Sequence, residues 1–359
     1  METTAVRAPS PAYDIRIGRG LASGLEPLLD SAGIGRQRFV VSSTTVWRLH
    51  GERIGAGLST RDEPVIVADG ERFKNLQTVS RIYDALIRAD ADRGAVLVAV
   101  GGGVIGDMAG FAAATYLRGI TLVHVPTTLL AQVDSAIGGK VGVNHPQGKN
   151  LIGAFHQPAL VAVDPSLVDT LPRREFRAGL YEVVKYGMIA DRALFDRVAA
   201  NLTALFARQT FVLEPVIAAC CRIKAAIVEN DEREHGMRRI LNFGHTAGHA
   251  LEAVTKYRRF RHGEAVGYGM LAASELAVAR GAMQSEDRDA LARLVVQMGP
   301  LPPVGDLTAA QVVQAMRRDK KVLNGRLRFI VTPKIGEAAV LDDVSEKELT
   351  QALRKIGLR

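Results

Sequence analysis

The sequence predicts a mostly parallel α/β domain over residues 1–171, followed by a helical domain over 172–359. Three observations carry this. Short apolar runs alternate with amphipathic segments in the first half. Pro172 then punctuates the chain. Beyond it, apolar residues recur almost throughout at helical spacing.

The elements follow in order. "RFVVSS" reads as a strand, "EPVIVADG" as a second, and "NLQTVSRIYDALIRAD" as a helix. "AVLVAVGGG" and "TLVHVPTT" are two further strands, and continuous Val/Leu/Ile runs suit a sheet covered on both faces. "LEPVIAACCRIKAAIVENDERE", "HTAGHALEAVTK" and "GEAVGYGMLAASELAVARG" read as helices of the second domain. Only "KVLNGRLRFIV" interrupts them, with Asn324-Gly325 expected at a hairpin turn.

Composition narrows the function. A chain of 359 residues with 47% hydrophobic and 23% charged content is expected to be soluble and two-domain. No apolar run can cross a bilayer, and "METTAVRAPSPAYD" lacks the layout of a signal peptide, so a cytoplasmic location and no membrane partner are expected. Cys220 and Cys221 are adjacent and offer no disulfide framework. The net charge of +8 permits an anionic partner. Few aromatics accompany the scattered basic clusters, so no nucleic acid is expected; several cations converging on a small polyanion fit better.

Two glycine-rich stretches and one histidine-rich stretch carry chemistry. Gly101, Gly103 and Gly106 place G-x-G-x-x-G between a strand and a helix, where a dinucleotide pyrophosphate can meet free N–H groups; a ligand-free turn has the same pattern. "GGKVGVNHPQGKN" fails as a phosphate-binding P-loop, because Asn150 stands where Ser or Thr should hold magnesium. It reads as a flexible loop whose Lys140, Lys149 and Asn150 suit an anion, or as a merely solvated one. "LNFGHTAGHALEAVTKYRRFRHGEAV" contains His245, His249 and His262. His245 and His249 are four apart, a spacing that lets two imidazoles share one metal ion.

In order along residues 60–335, "GGGVIGD", "YLRGITLVHVPTTLLAQVDSAIGGKVGVN", "GKNLIGAFHQP", "LPRREFRAGLYEVVKYG", "LNFGHTAGHALE", "HGEAVGYGM" and "DKKVLNG" resemble 3-dehydroquinate synthase. The resemblance implies the dehydroquinate-synthase-like fold, a Rossmann-like domain followed by an all-α domain. It implies NAD, a divalent metal (zinc or cobalt), a homodimer and a place in the shikimate pathway. The implied reaction turns 3-deoxy-D-arabino-heptulosonate 7-phosphate into 3-dehydroquinate and phosphate. It proceeds by transient oxidation, phosphate elimination, re-reduction and intramolecular aldol closure.

The resemblance also implies roles. Glu182, His245 and His262 are the metal ligands, with His249 turned to the substrate; the local spacing keeps His245 with His249 as the alternative pair. Lys185, Asp134, His249 and Asn242 are the catalytic positions. Glu71, Lys74, Gly102, Gly103, Asp107, Thr127, Thr128, Lys140, Lys149 and Thr170 match cofactor contacts. Arg118, Asp134, Lys140, Lys149, Asn150, Lys185, Lys224, Arg238, Asn242 and His249 match contacts to the anionic sugar phosphate, as does Lys320 or Lys321, Lys320 being favoured. The chain departs from many family members at the adenosine ribose, where Ser43 and Thr45 replace an Asp-x-Asn pair. Three other readings stay open: a sugar-phosphate cyclase making a different carbocycle, a polyol dehydrogenase, and a basic binding protein that has lost catalysis.

Overall fold

The apolar runs of the first half become strands of one sheet. The computed structural model describes residues 1–59, 63–319 and 328–359. It contains β1 (Glu2–Val6), β2 (Tyr13–Ile17), β3 (Arg38–Ser43), β4 (Val65–Val67), β5 (Val96–Gly101), β6 (Thr121–Pro126), β7 (Lys140–His145), β8 (Gly148–Phe155) and β9 (Leu160–Val163). Seven strands pair in the order β1-β2-β9-β6-β5-β3-β4. All neighbours are parallel except β1 and β2.

The side chains of β5 alternate between two cores. Val96, Val98 and Val100 pack with Leu25 and Leu29 of α1 (Leu25–Ser31) and Ile54 of α2 (Thr44–Gly57). Leu97 and Ala99 pack with Val79, Ile82 and Leu86 of α3 (Leu76–Arg88) and with Ile105 and Met108 of α4 (Gly103–Thr115). Each of the Val, Leu, Ile and Met side chains contributes about 1.5–3 kcal/mol when fully buried. Helices on both faces explain why the strands read as unbroken apolar runs.

Two expectations need correction here. "GGKVGVNHPQGKN" lies in the antiparallel hairpin β7–β8, not in a flexible loop. Gly142 and Gly153 face each other across it, and a Cβ on either would meet backbone at 2.5 Å. Small residues therefore serve close strand contact, which a composition reading takes for looseness. The second correction concerns the boundary. After α5 (Arg173–Ala190), α6 (Arg192–Ala200) and α7 (Leu202–Phe206), the chain forms α8 (Thr210–Asn230). The compact units are Met1–Pro172 with Thr210–Arg233, and Arg173–Gln209 with Glu234–Arg359. Thus α8 belongs to the α/β unit, where it packs on β1 and β2. Helical periodicity gives the buried face of α8 but not the partner that covers it.

The second unit contains α9 (His245–Val254), α10 (His262–Ala279), α11 (Ser285–Gln297), α12 (Ala309–Asp319) and α13 (Glu346–Lys355). It is not all-helical: β10 (Phe329–Lys334) and β11 (Glu337–Leu341) form an antiparallel pair, with Gly336 at a φ of 94° in the turn. The turn expected at Asn324-Gly325 lies outside the described residues, as do Lys320 and Lys321. Among the described residues, no helix is long and apolar enough to cross a membrane.

One glycine contact sets the distance between α9 and α10. A Cβ on Gly269 would lie 1.8 Å from the Gly244 carbonyl oxygen. Helix propensity alone makes Gly269→Ala stabilising by about 1 kcal/mol. The clash should reverse the sign and cost about 3 kcal/mol, read as a lower denaturation midpoint in urea. A midpoint equal to or above that of the wild type would contradict this packing.

Candidate active site

Helix α5 buries nearly its whole length, and Glu182 within it has no exposed surface. Glu182 Oε2 lies 2.6 Å from the Lys185 ammonium one turn later, and Lys185 is itself buried. So this i,i+3 pair is not the exposed ion pair that such spacing usually makes. Glu182 Oε1 lies 3.6 Å from His245 Nε2 and 3.5 Å from His262 Nε2. Donor atoms of His245, His249 and His262 all fall within 4.8 Å of one another. The structure therefore gathers all three imidazoles, with the carboxylate beside two of them.

This approach needs glycine. A Cβ on Gly263 would lie 1.9 Å from the Ala178 carbonyl oxygen, and one on Gly267 would lie 2.9 Å from the Tyr181 ring. Glu264, fully buried, ties the start of α10 to α5: Arg174 grips it through two nitrogens at 2.7–2.8 Å and Arg177 donates at 2.9 Å. Burial alone would push this carboxyl up, but those bonds and the Arg261 backbone N–H hold it below the ordinary range.

The outer nitrogens are also held. His245 Nδ1 lies 3.1 Å from the Phe243 carbonyl oxygen, and His262 Nδ1 lies 3.4 Å from Glu252 Oε2. Partners at Nδ1 leave Nε2 to face the cluster, the arrangement of metal-bound histidines. Burial pushes His245 down to about 3, so it is a neutral donor. Burial also disfavours charge on His262, but Glu182 and Glu252 outweigh it and carry that ring up to about 10. Two imidazoles and a carboxylate suit zinc or cobalt, so the residues fit a divalent metal. Elsewhere in this unit Arg238 is buried, and Asn242 donates to Glu234 at 2.8 Å.

The α/β unit carries the other expected residues. Gly102 caps α4 without a side-chain bond, leaving the helix N-terminus open. A Cβ on Gly102 would lie 3.0 Å from Thr128 Cγ2, and one on Gly103 would lie 2.9 Å from Ser135 Oγ. That Ser135 hydroxyl is buried and has no hydrogen-bond partner among the described residues. A bare glycine turn beside an open helix end and a buried hydroxyl fits a dinucleotide phosphate. The Thr127 N–H donates to the Gly101 carbonyl, fixing the adjacent strand end.

Lys74 bonds Asp107 and also donates to Asn150 Oδ1 at 2.6 Å. Burial pushes the Asp107 carboxyl up, against the pull of Lys74. Lys149 lies 4.0 Å from Glu71. The Thr170 hydroxyl lies 3.0 Å from His50 Nε2. Lys224, reaching from α8, donates to the Asp134 carbonyl at 2.6 Å and bonds its carboxylate. Asp134 sits on a π-turn, Ala131–Ser135, a feature common at functional sites. Lys140 and Arg118 are exposed, Arg118 with a φ of 71°. Ser43 stands where the family departure was noted, and its hydroxyl contacts Asp69 Oδ2 at 3.3 Å.

Sequence reasoning missed Asp69, Ser135, Glu234 and Glu252. Glu252 had a legible signal: it falls seven residues after His245, on the same face of α9. The others are brought into place only by tertiary contacts.

Residues 64–178 match the family described as 3-dehydroquinate synthase N-terminal, and residues 179–322 match 3-dehydroquinate synthase C-terminal. The chain is 46% identical to 3-dehydroquinate synthase from Pelotomaculum thermopropionicum, covering 98% of this chain and 96% of that one. It is 47% identical to the same enzyme from Geobacter metallireducens, covering 96% and 98%. Among solved structures it resembles 2-deoxy-scyllo-inosose synthase complexed with carbaglucose-6-phosphate, NAD+ and Co2+, at a TM-score of 0.87 and 26% identity over 99% of both chains. It also resembles 2-epi-5-epi-valiolone synthase from Streptomyces hygroscopicus with NAD+ and Zn2+ bound, at 0.87 and 29% over 99% of both. A glycerol dehydrogenase from Schizosaccharomyces pombe shares the fold alone, at 0.69 and 18% over 99% of this chain and 90% of that one.

The His262–Glu252 contact yields a test. Glu252→Ala should weaken zinc binding about 10–100-fold by chelator competition, whereas Glu252→Gln, which keeps an acceptor for Nδ1–H, should lose much less. Equal affinity in all three proteins would remove Glu252 from the site.

Proposed function

The chain belongs to the 3-dehydroquinate synthase family, and on that premise we propose that it converts 3-deoxy-D-arabino-heptulosonate 7-phosphate into 3-dehydroquinate and phosphate with NAD and a divalent metal. The observation that carries the reading is that Glu182 Oε1 lies 3.5–3.6 Å from Nε2 of both His245 and His262, within a cluster that His249 also joins. When bound, the metal polarises substrate hydroxyls and the nicotinamide stores and returns one hydride, so the cofactor ends as it began. The rest is the work of the chain.

Glu182, His245 and His262 hold the ion, and His249 faces substrate oxygens. Lys185, fixed by Glu182 in a buried setting, places positive charge beside the oxygen that becomes a ketone. The acidified neighbouring C–H then loses its proton to an oxygen of the leaving phosphate as the C–O bond breaks. Lys224 and Arg238 bind the anionic groups of the substrate, joined by Lys140, Lys149, Asn150 and Arg118, while Asp134 and Asn242 orient it. Glu71, Lys74, Gly102, Gly103, Asp107, Thr127, Thr128 and Thr170 hold the nucleotide, with Asp69 and Ser135 added by their position.

The test mixes the protein with zinc, catalytic NAD and 3-deoxy-D-arabino-heptulosonate 7-phosphate. Inorganic phosphate and the NADH absorbance band are followed together. Phosphate should rise far beyond the NAD supplied while the NADH signal stays flat. NADH growing in step with product, without phosphate, would sink the cyclase reading and favour a dehydrogenase.

A further inference from the structure

We propose that Asn144 is a positioning residue that holds the strip Glu71–Lys74 and the hairpin β7–β8 in one register, so that nucleotide-side and substrate-side groups are set together. The inference rests on the roles proposed above for those two segments.

The hairpin ladder is irregular between Val143 and His145. Such a break frees a residue from strand pairing and re-aims it, and breaks of this kind recur beside active sites. Here Asn144 on β7 and Lys149, Asn150 and Leu151 on β8 fall between the paired residues, and Asn144 turns to the strip Glu71–Lys74. Its backbone N–H donates to the Lys74 carbonyl at 2.8 Å. Its side-chain Nδ2 donates to Glu71 Oε1 at 2.8 Å and to the Glu71 carbonyl at 3.3 Å. Its Oδ1 accepts the Asn150 N–H at 2.9 Å.

That last bond has a consequence. Asn150 has a φ of 54°, a left-handed backbone that asparagine tolerates better than most residues. So held, Asn150 aims its own Oδ1 at the Lys74 ammonium, 2.6 Å away. The contacts close a ring: Asn144 to Lys74 by backbone, Lys74 to Asn150 by side chain, Asn150 back to Asn144. Glu71 joins through Asn144 Nδ2. One amide therefore uses its donor for the nucleotide strip and its acceptor for the hairpin.

That division of labour can be separated by mutation. Asn144→Ala removes both arms. It should raise the NAD Kd and the substrate KM each by about tenfold, the size of one hydrogen bond to a charged or strained partner, with kcat within about threefold. Asn144→Asp keeps the acceptor for Asn150 but sets a carboxylate against Glu71. Its NAD Kd should rise at least as much as in Asn144→Ala, while its KM stays within about threefold of wild type. NAD binding is measured by titration calorimetry on metal-free protein, so it reads without turnover. Unchanged constants in Asn144→Ala, or equal loss of both in Asn144→Asp, would overturn the proposal. Glu71→Ala is measured alongside. If it binds NAD as tightly as wild type, the nucleotide role of the strip falls instead, and Asn144 is then judged by KM alone.

Discussion

A carboxylate with no exposed surface must be met by positive charge or hydrogen-bond donors, and Glu182 in the second unit is such a group. Removing an ion from water costs several kcal/mol unless partners replace the water. Lys185 supplies one partner from the same helix, and His245 and His262 come to the other oxygen from two different helices. Three chain segments must therefore approach closely at one point. Gly244, Gly263, Gly267 and Gly269 make that possible, because a side chain at any of them would strike backbone or an aromatic ring. The Glu264–Arg174–Arg177 cluster then fixes the start of α10 on α5. Packing, polar satisfaction and ligand geometry converge on the same few residues.

The α/β unit solves a different problem by a different rule. Its parallel strands all end at one edge, and residues just past strand ends gather there. Gly102 and Gly103 follow β5, Thr127 and Thr128 follow β6, and Asp69 follows β4 beside Ser43 at the end of β3. The hairpin β7–β8 adds Lys149 and Asn150, bound to Glu71 and Lys74. The proposed nucleotide site is thus assembled from loops, while the proposed metal cluster is assembled from helix faces.

Much of this was legible in the sequence, for identifiable reasons. β3, β5 and β6 were readable because strands covered on both faces leave unbroken apolar runs. The histidine cluster was only half readable. The spacing of His245 and His249 is local and visible, but Glu182 and His262 meet through packing, and the resemblance to a known family was needed to join them. The hairpin reads as a loop from composition because glycine serves close strand contact as well as flexibility. The unit to which α8 belongs is not legible, because an amphipathic pattern does not name its partner. Asn144, Ser135 and Glu234 carried no local signal: their meaning lies in a ladder irregularity, a bare glycine turn and a loop contact.

The central claim is that Glu182, His245 and His262, and not His249, hold the metal. A crystal structure of the zinc-loaded protein, with anomalous data collected at the zinc edge, tests it directly. The account predicts one ion at about 2.0–2.2 Å from Glu182, His245 Nε2 and His262 Nε2, with His249 outside the coordination sphere. An ion bound by His245 and His249, with His262 outside, would contradict it.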